Sequence, residues 1–183
     1  MNTTHHRPSP CSAFTNAFTE VLGEIDGLAG EDQLVAENSS DRLMELCNRL
    51  ASHYNPVCAC GLAQQIGRSA FTHLLRENNG LTGLTGQSFR LMPGRLRLMR
   101  GFNQLETLIE DVFEIPVAVI DAADAIQLKT SDESARHDLI PYLEAGFIQE
   151  FVQWVSGGKF HQVMVNGGPP GWSVVVGKQP LDS

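Results

Sequence analysis

The chain is predicted to fold as an α+β domain, with helices packed on a small antiparallel sheet made of two β-hairpins and with an N-terminal helical extension. Three observations point there. Apolar residues recur at helical spacing in five separate stretches. Two pairs of short β-prone runs follow helices, and turn residues join the members of each pair. The composition, 42% hydrophobic and 19% charged over 183 residues, is that of an ordinary globular protein. A chain of that length buries roughly 70% of its unfolded surface and needs no staples.

Residues 1 to 9 are polar, contain proline, and are expected to lack structure. Phe14, Phe18, Val21, Leu22 and Ile25 lie on one helical stripe, which Gly27 and Gly30 end. Ser40 or Asp41 can cap a second helix bearing Leu43, Met44, Leu46, Cys47 and Leu50, and Asn55-Pro56 breaks it. A third helix is predicted from Val57 to Glu77, with Cys58, Leu62, Ile66, Ser69, Ala70, His73 and Leu74 on one face. Gly61 and Gly67 each cost about 1 kcal/mol there against alanine. Either a neighbouring backbone passes close to them or the helix breaks. Asn78-Asn79-Gly80 closes it. The glycine-spaced stretch from Leu81 to Pro93 reads as a mobile loop or lid.

A fourth helix is predicted from Gly94 to Phe113, with Leu98, Phe102, Leu105, Leu108, Ile109, Val112 and Phe113 on its apolar face. Pro116 to Ile120 and Ala125 to Thr130 read as strands around Asp121-Ala-Ala-Asp124, and Ser131-Asp132-Glu133 suits a helix start. Leu143, Phe147, Ile148, Phe151, Val152 and Val155 give the last helix, which Gly157-Gly158 ends. Phe160 to Val165 and Trp172 to Val176 form the second hairpin around Asn166-Gly-Gly-Pro-Pro-Gly171. The boundary between extension and α+β domain is placed between residues 55 and 56, giving 1–55 and 56–183.

Net charge is −8, which argues against nucleic acid as a partner. Ser88 to Gly101 carries Arg90, Arg95, Arg97 and Arg100 and no acid, so this segment is +4 and the remainder −12. Phe102 to Asp124 carries six acids and no Lys or Arg. The arginine block can hold a carboxylate or phosphate, or it can be a solvated surface run. No apolar run approaches the ~18 residues of a membrane span. The N-terminus lacks a secretory pattern, so a cytoplasmic protein is expected.

Complete catalytic signatures are missing: there is no Gly-x-Ser-x-Gly, and no histidine is visibly oriented as a base for Cys58 or Cys60. That Cys-x-Cys pair has no second pair downstream, as zinc would require. Of six histidines, His73 is singled out because it lies on the apolar side of its helix. Three apolar helix faces over a small sheet can enclose a pocket. Phe71, Phe89, Phe102, Phe147 and Phe151 are candidates to line it, and Arg68, Arg95 and Arg97 to meet an anionic group. Alternatively these phenylalanines fill the core. The residues name no cofactor.

Three segments resemble the 4-vinyl reductase domain family: Gly61-Leu-Ala-Gln-Gln-Ile-Gly-Arg-Ser-Ala-Phe71, Val117-Ala-Val-Ile-Asp-Ala-Ala-Asp-Ala-Ile-Gln-Leu-Lys-Thr-Ser131, and Glu144-Ala-Gly-Phe-Ile-Gln-Glu-Phe151 with Val163-Met-Val165. The resemblance implies a fold shared with vesicle-tethering TRAPP subunits and with haem nitric-oxide-binding domains. It implies binding of a hydrocarbon-like or tetrapyrrole-like small molecule, and a homodimer. The cysteines that family members carry near the last helix and hairpin are replaced by Leu139-Ile-Pro-Tyr-Leu143 and Asn166-Gly-Gly-Pro-Pro-Gly-Trp172, so metal is not expected there. The haem branch is disfavoured because its Tyr-x-Ser-x-Arg signature does not occur. The expected function is a non-enzymatic binding or sensor domain for an apolar or anionic small molecule. The alternatives are an interaction scaffold with a filled core and an accessory protein of tetrapyrrole metabolism.

Overall fold

The computed structural model describes residues 10–26, 39–77, 81, 84, 86–130, 137–168 and 171–181. The predicted class is the observed one. The elements run α1 (Pro10–Asp26), α2 (Ser39–His53), α3 (Pro56–Arg76), a short α4 (Gln87–Arg90), α5 (Gly94–Phe113), β1 (Val117–Asp121), β2 (Ala125–Thr130), α6 (Ile140–Val155), β3 (His161–Gly168) and β4 (Gly171–Pro180). The readings of residues 1–9, of the linker at 27–38, of Asn78-Asn79-Gly80, of Ser131-Asp132-Glu133 and of Pro169-Pro170 lie outside the described residues.

The break between α2 and α3 is local chemistry. Asn55 accepts a hydrogen bond from the Cys58 amide at 3.0 Å, and Pro56 follows as the first helical residue. At the other end of the helical layer, α5 stops at Glu114, which takes a left-handed φ of 55°.

The two hairpins join through a β2–β4 pairing into one antiparallel sheet of order β1-β2-β4-β3. The register aligns residues in rows across it. Val119, Leu128, Val174 and Val165 form one row, and Asp121, Ile126, Val176 and Val163 the next. Ile126, Leu128, Val174 and Val176 are buried under the helices. On the opposite face Ile120 and Met164 are exposed, the one-sided burial usual for an antiparallel sheet.

The core centres on α6, where eleven of sixteen residues are buried, so it is enclosed nearly all round and cannot be a surface helix. α3 crosses it at two glycines. A Cβ on Gly67 would strike the Leu143 carbonyl and come within 2.9 Å of the Phe147 nitrogen. A Cβ on Gly146 would strike the Gln64 carbonyl and come within 2.9 Å of its Cα. The expectation of a close backbone is therefore met at Gly67. It is not met at Gly61, which is exposed and has nothing within 4 Å of the position a Cβ would take.

α1 enters the same core. The Phe14 ring meets Phe113 edge-on at 5.2 Å and stacks on Phe147 at 6.3 Å. A polar latch adds to this contact, since Glu20 accepts from Ser69 at 2.5 Å and lies 2.9 Å from His73 Nε2. His73, expected on the apolar side, instead faces this carboxylate. The segment read as a mobile lid is also different in its described part. Leu81, Leu84 and Phe89 are buried, and Phe89 stacks on Trp154 at 5.8 Å.

The glycines predict opposite signs for one substitution. Gly67→Ala should destabilise by about 1–3 kcal/mol or more, the cost of overpacking against a backbone, and lower the thermal midpoint by several degrees. Gly61→Ala should stabilise by up to about 1 kcal/mol, since only helix propensity changes. Equal midpoints for the two variants in thermal denaturation would contradict the crossing described.

The latch predicts a pH effect. Hydrogen bonds from Ser69 and then His73 hold the Glu20 carboxyl below its ordinary value of 4.5. A depressed carboxylate stabilises the fold above its unfolded pKa and loses that contribution as pH falls through the folded one. Stability should fall below about pH 4.5, and Glu20→Gln should flatten that acid limb in urea titrations at several pH values. An acid limb identical in the variant would show that the latch contributes nothing.

Candidate functional site

α5 lies against the sheet at its C-terminal half and diverges from it at the other end. Leu105, Leu108, Ile109, Val112 and Phe113 are buried, whereas Arg95, Leu96, Met99 and Asn103 are exposed. The divergence opens a cleft of about 700 Å³ between the first half of α5, the strand ends and the turn after α6. That volume lies within the range of about 300–1,000 Å³ usual for small-molecule sites. Its apolar wall is Leu98, Met99, Phe102, Ile126 and Pro180. Its polar wall includes Arg95, Asn103, Asp121, Ser156, Lys159, His161 and Lys178.

Charge in the cleft is unevenly compensated. Lys178 pairs with Asp121 and also donates to the Ala122 carbonyl, so these two lining charges answer each other. Arg95 and Lys159 are exposed and have no ion-pair partner among the described residues. The cleft thus presents two open cations beside an apolar wall.

His161 is the least exposed polar residue here, at 2%. It opens β3 beside an irregularity in the β3–β4 register, and such bulges re-aim side chains. Its Nδ1 lies 3.0 Å from the Gly177 carbonyl. Its Nε2 is buried and has no hydrogen-bond partner among the described residues, which costs about 1–3 kcal/mol if left so. Sequence reading passed over this residue. The signal was present, however, in the alternation of His161, Val163 and Val165 against the exposed Gln162 and Met164.

The eight candidates fall in different places. Arg95 and Phe102 line the cleft. Phe71, Phe147 and Phe151 pack edge-on against one another, Phe71 meeting Phe147 at 5.3 Å and Phe151 at 5.8 Å, all three fully buried in the core. Phe89 stacks on Trp154. Arg68 pairs with Glu150 at 3.1 Å, tying α3 to α6. Arg97 lies against Gly157, where a Cβ would come within 2.5 Å of its guanidinium and where φ is +78°. That places its charge at the C-terminal end of α6, favourable to the helix dipole.

The cysteines are dissimilar. Burial alone pushes the Cys47 thiol up to about 12, so it stays protonated. Cys58 is exposed. Cys60 shares a hydrogen bond with Tyr142, whose hydroxyl is pushed above its ordinary value first by burial and then by that bond. Among the described residues no three His, Cys, Asp or Glu side chains are grouped to hold a metal ion. Nor is any described helix long and apolar enough to cross a membrane.

The chain is thus an α+β domain with a helical layer over a four-stranded antiparallel sheet. Known structures share it. A point variant of Tt H-NOX, a haem nitric-oxide-binding domain, superposes with a TM-score of 0.53 at 13% identity, covering 94% of this chain and 95% of that one. A double variant of Tt H-NOX gives 0.50 at 13% identity, covering 96% and 97%. The likeness is one of fold. No family model matches the sequence, and no curated protein matches it.

Such a fold raises haem as a group to test against these residues. α5 holds no His, Cys or Tyr, and the Tyr-x-Ser-x-Arg signature is missing from the sequence. The cleft nonetheless offers one imidazole with an unbonded Nε2, two open cations and an apolar wall. That Nε2 is itself enclosed, however, so these residues do not fit a haem-like group whose metal would have to reach it.

The thiols give a direct check on burial. An alkylating reagent should modify Cys58 in the folded protein within minutes and leave Cys47 untouched until denaturant is added. Peptide mapping that finds Cys47 labelled natively would contradict the packing of α2.

Proposed function

We propose that this chain is a non-enzymatic small-molecule-binding or sensor domain, and that its ligand is an amphiphilic anion held in the cleft beneath α5. One observation carries the reading: the two open cations Arg95 and Lys159 stand beside the apolar wall of Leu98, Met99, Phe102 and Ile126. Apolar walls with a few placed polar groups are what small-molecule sites are made of. The shared fold with H-NOX domains and the local resemblance to the 4-vinyl reductase family support the same reading. Against an enzyme stands the geometry of the most catalytic-looking group. Ser69 and His73 both bond the same Glu20 oxygen rather than each other, so the imidazole is not placed as a base on the hydroxyl.

A fluorescent amphiphilic anion, anilinonaphthalene sulfonate, tests the site. It should bind the folded chain at one saturable site. Met99→Trp, which fills the cleft from an exposed position, should abolish that binding with little change in stability. Arg95→Gln should weaken it about tenfold, the loss of one charge-assisted hydrogen bond, whereas Arg97→Gln should not. Binding that ignores Met99→Trp would remove the cleft from consideration.

A further inference from the structure

The cleft leaves most of the arginine block and the acidic run behind it unused, and both lie largely on α5. Leu96, Arg100, Asn103, Thr107, Asp111 and Glu114 follow one another at intervals of three or four residues, and all six are exposed. That spacing makes one helical stripe, about 27 Å long. It lies opposite the face of Leu105, Leu108, Ile109 and Val112, which is buried.

Within a single chain the order of charges on this helix is unfavourable. A helix dipole favours acids in the first turn and cations in the last. α5 has no acid in its first turn and no base in its last. Instead Arg95 and Arg97 stand at its positive end, and Asp111 and Glu114 at its negative end. Pairs along the helix do not compensate, since Glu106 with Glu110 and Glu110 with Glu114 are like charges four residues apart. None of Arg95, Arg100, Glu106, Asp111 and Glu114 has an ion-pair partner among the described residues. Leu96 and Met99 stand among these charges 52% and 54% exposed.

A membrane or a nucleic acid would suit a surface of one sign. Here both signs share one stripe, cations at one end and acids at the other, and its complement is the same stripe run in the opposite direction. We propose that the exposed stripe of α5 is a homodimer interface, in which the α5 helices of two copies pack antiparallel about a two-fold axis. With the axis midway between Asn103 and Thr107, Arg100 of each copy lies opposite Asp111 of the other, and Asn103 opposite Thr107. The same patch serves both copies, as a two-fold contact requires. Each helix's positive end then lies beside the other's negative end, and Leu96 and Met99 lose solvent. One helix pair is a small interface, so the dimer depends on concentration and on salt.

Sedimentation equilibrium of the full chain should show a reversible monomer–dimer equilibrium that weakens at least tenfold between ~0.05 M and ~0.5 M salt. Arg100→Glu and Asp111→Arg each set like charges opposite one another. Each variant alone should be monomeric, with an unchanged circular dichroism spectrum because both positions are exposed. An equal mixture of the two should dimerise again, since the new glutamate of one then faces the new arginine of the other and the remaining Arg100 faces the remaining Asp111. An unaltered chain that stays monomeric, a dimer that survives both variants, or a mixture no more associated than its components each overturns the pairing. So does capture of a monomeric chain by phosphatidylglycerol vesicles that Arg100→Glu abolishes, which would assign the basic half of the stripe to a membrane.

Discussion

The backbone contact between α3 and α6 at Gly67 and Gly146 determines how closely the two central helices approach, and the remaining elements take their positions from it. Each glycine faces a main-chain carbonyl of the other helix, so neither tolerates a side chain. This approach brings the Phe71 ring against Phe147 and Phe151. Phe147 in turn receives Phe113 at 5.8 Å and Phe14 on its face. One aromatic cluster thus joins α1, α3, α5 and α6, and edge-on pairs of this kind add about 0.5–1.5 kcal/mol each beyond the area they bury.

From that cluster α5 is held by rings at its C-terminal end, and in its first half by close contact with α6, where a Cβ on Gly101 would come within 3.0 Å of Val155. Phe113 and Val112 are held in the core, and Val117 at the start of β1 donates its amide to Glu110 at 3.1 Å. Near its start α5 also places Arg97 over Gly157. Gly157 serves because its backbone takes a positive φ and because a side chain there would occupy the guanidinium's place. The cleft is the wedge left between a helix anchored at Phe113 and a sheet whose strands run on past it to Pro180.

Much of this was legible in the sequence where periodicity reports burial directly. α5 and β2 were read to the residue, because apolar stripes and alternation end there at Gly94, Phe113, Ala125 and Thr130. The break at Asn55-Pro56 was legible too, although α3 starts at Pro56 rather than at the predicted Val57. What periodicity does not encode is which elements meet. It marked Gly61 and Gly67 alike, and only the crossing with α6 separates them. It treated the phenylalanines as one set, although Phe102 lines the cleft while Phe71, Phe147 and Phe151 are enclosed. It singled out His73 for its helix face and passed over His161. The decisive fact about His161 is a hydrogen bond to Gly177, sixteen residues away on another strand.

The asymmetry of α5 also bears on how a ligand could be sensed. Its buried half shares rings with α1 and α6, and its cleft half carries Arg95, Leu98, Met99 and Phe102. A ligand in the cleft touches Leu98 and Phe102, which also pack on the core, and it can move the helix only by binding one position of it more tightly than another. The strands opposite are fixed by their register, with Ile126 paired to Val176 and Val176 to Val163. Differential contact therefore falls on α5 rather than on the sheet. Through Phe113 and Phe14, a shift of α5 reaches α1, whose outer contacts with α3 are the polar ones at Glu20. Packed rings can pass on such a displacement only by switching between discrete arrangements rather than yielding smoothly.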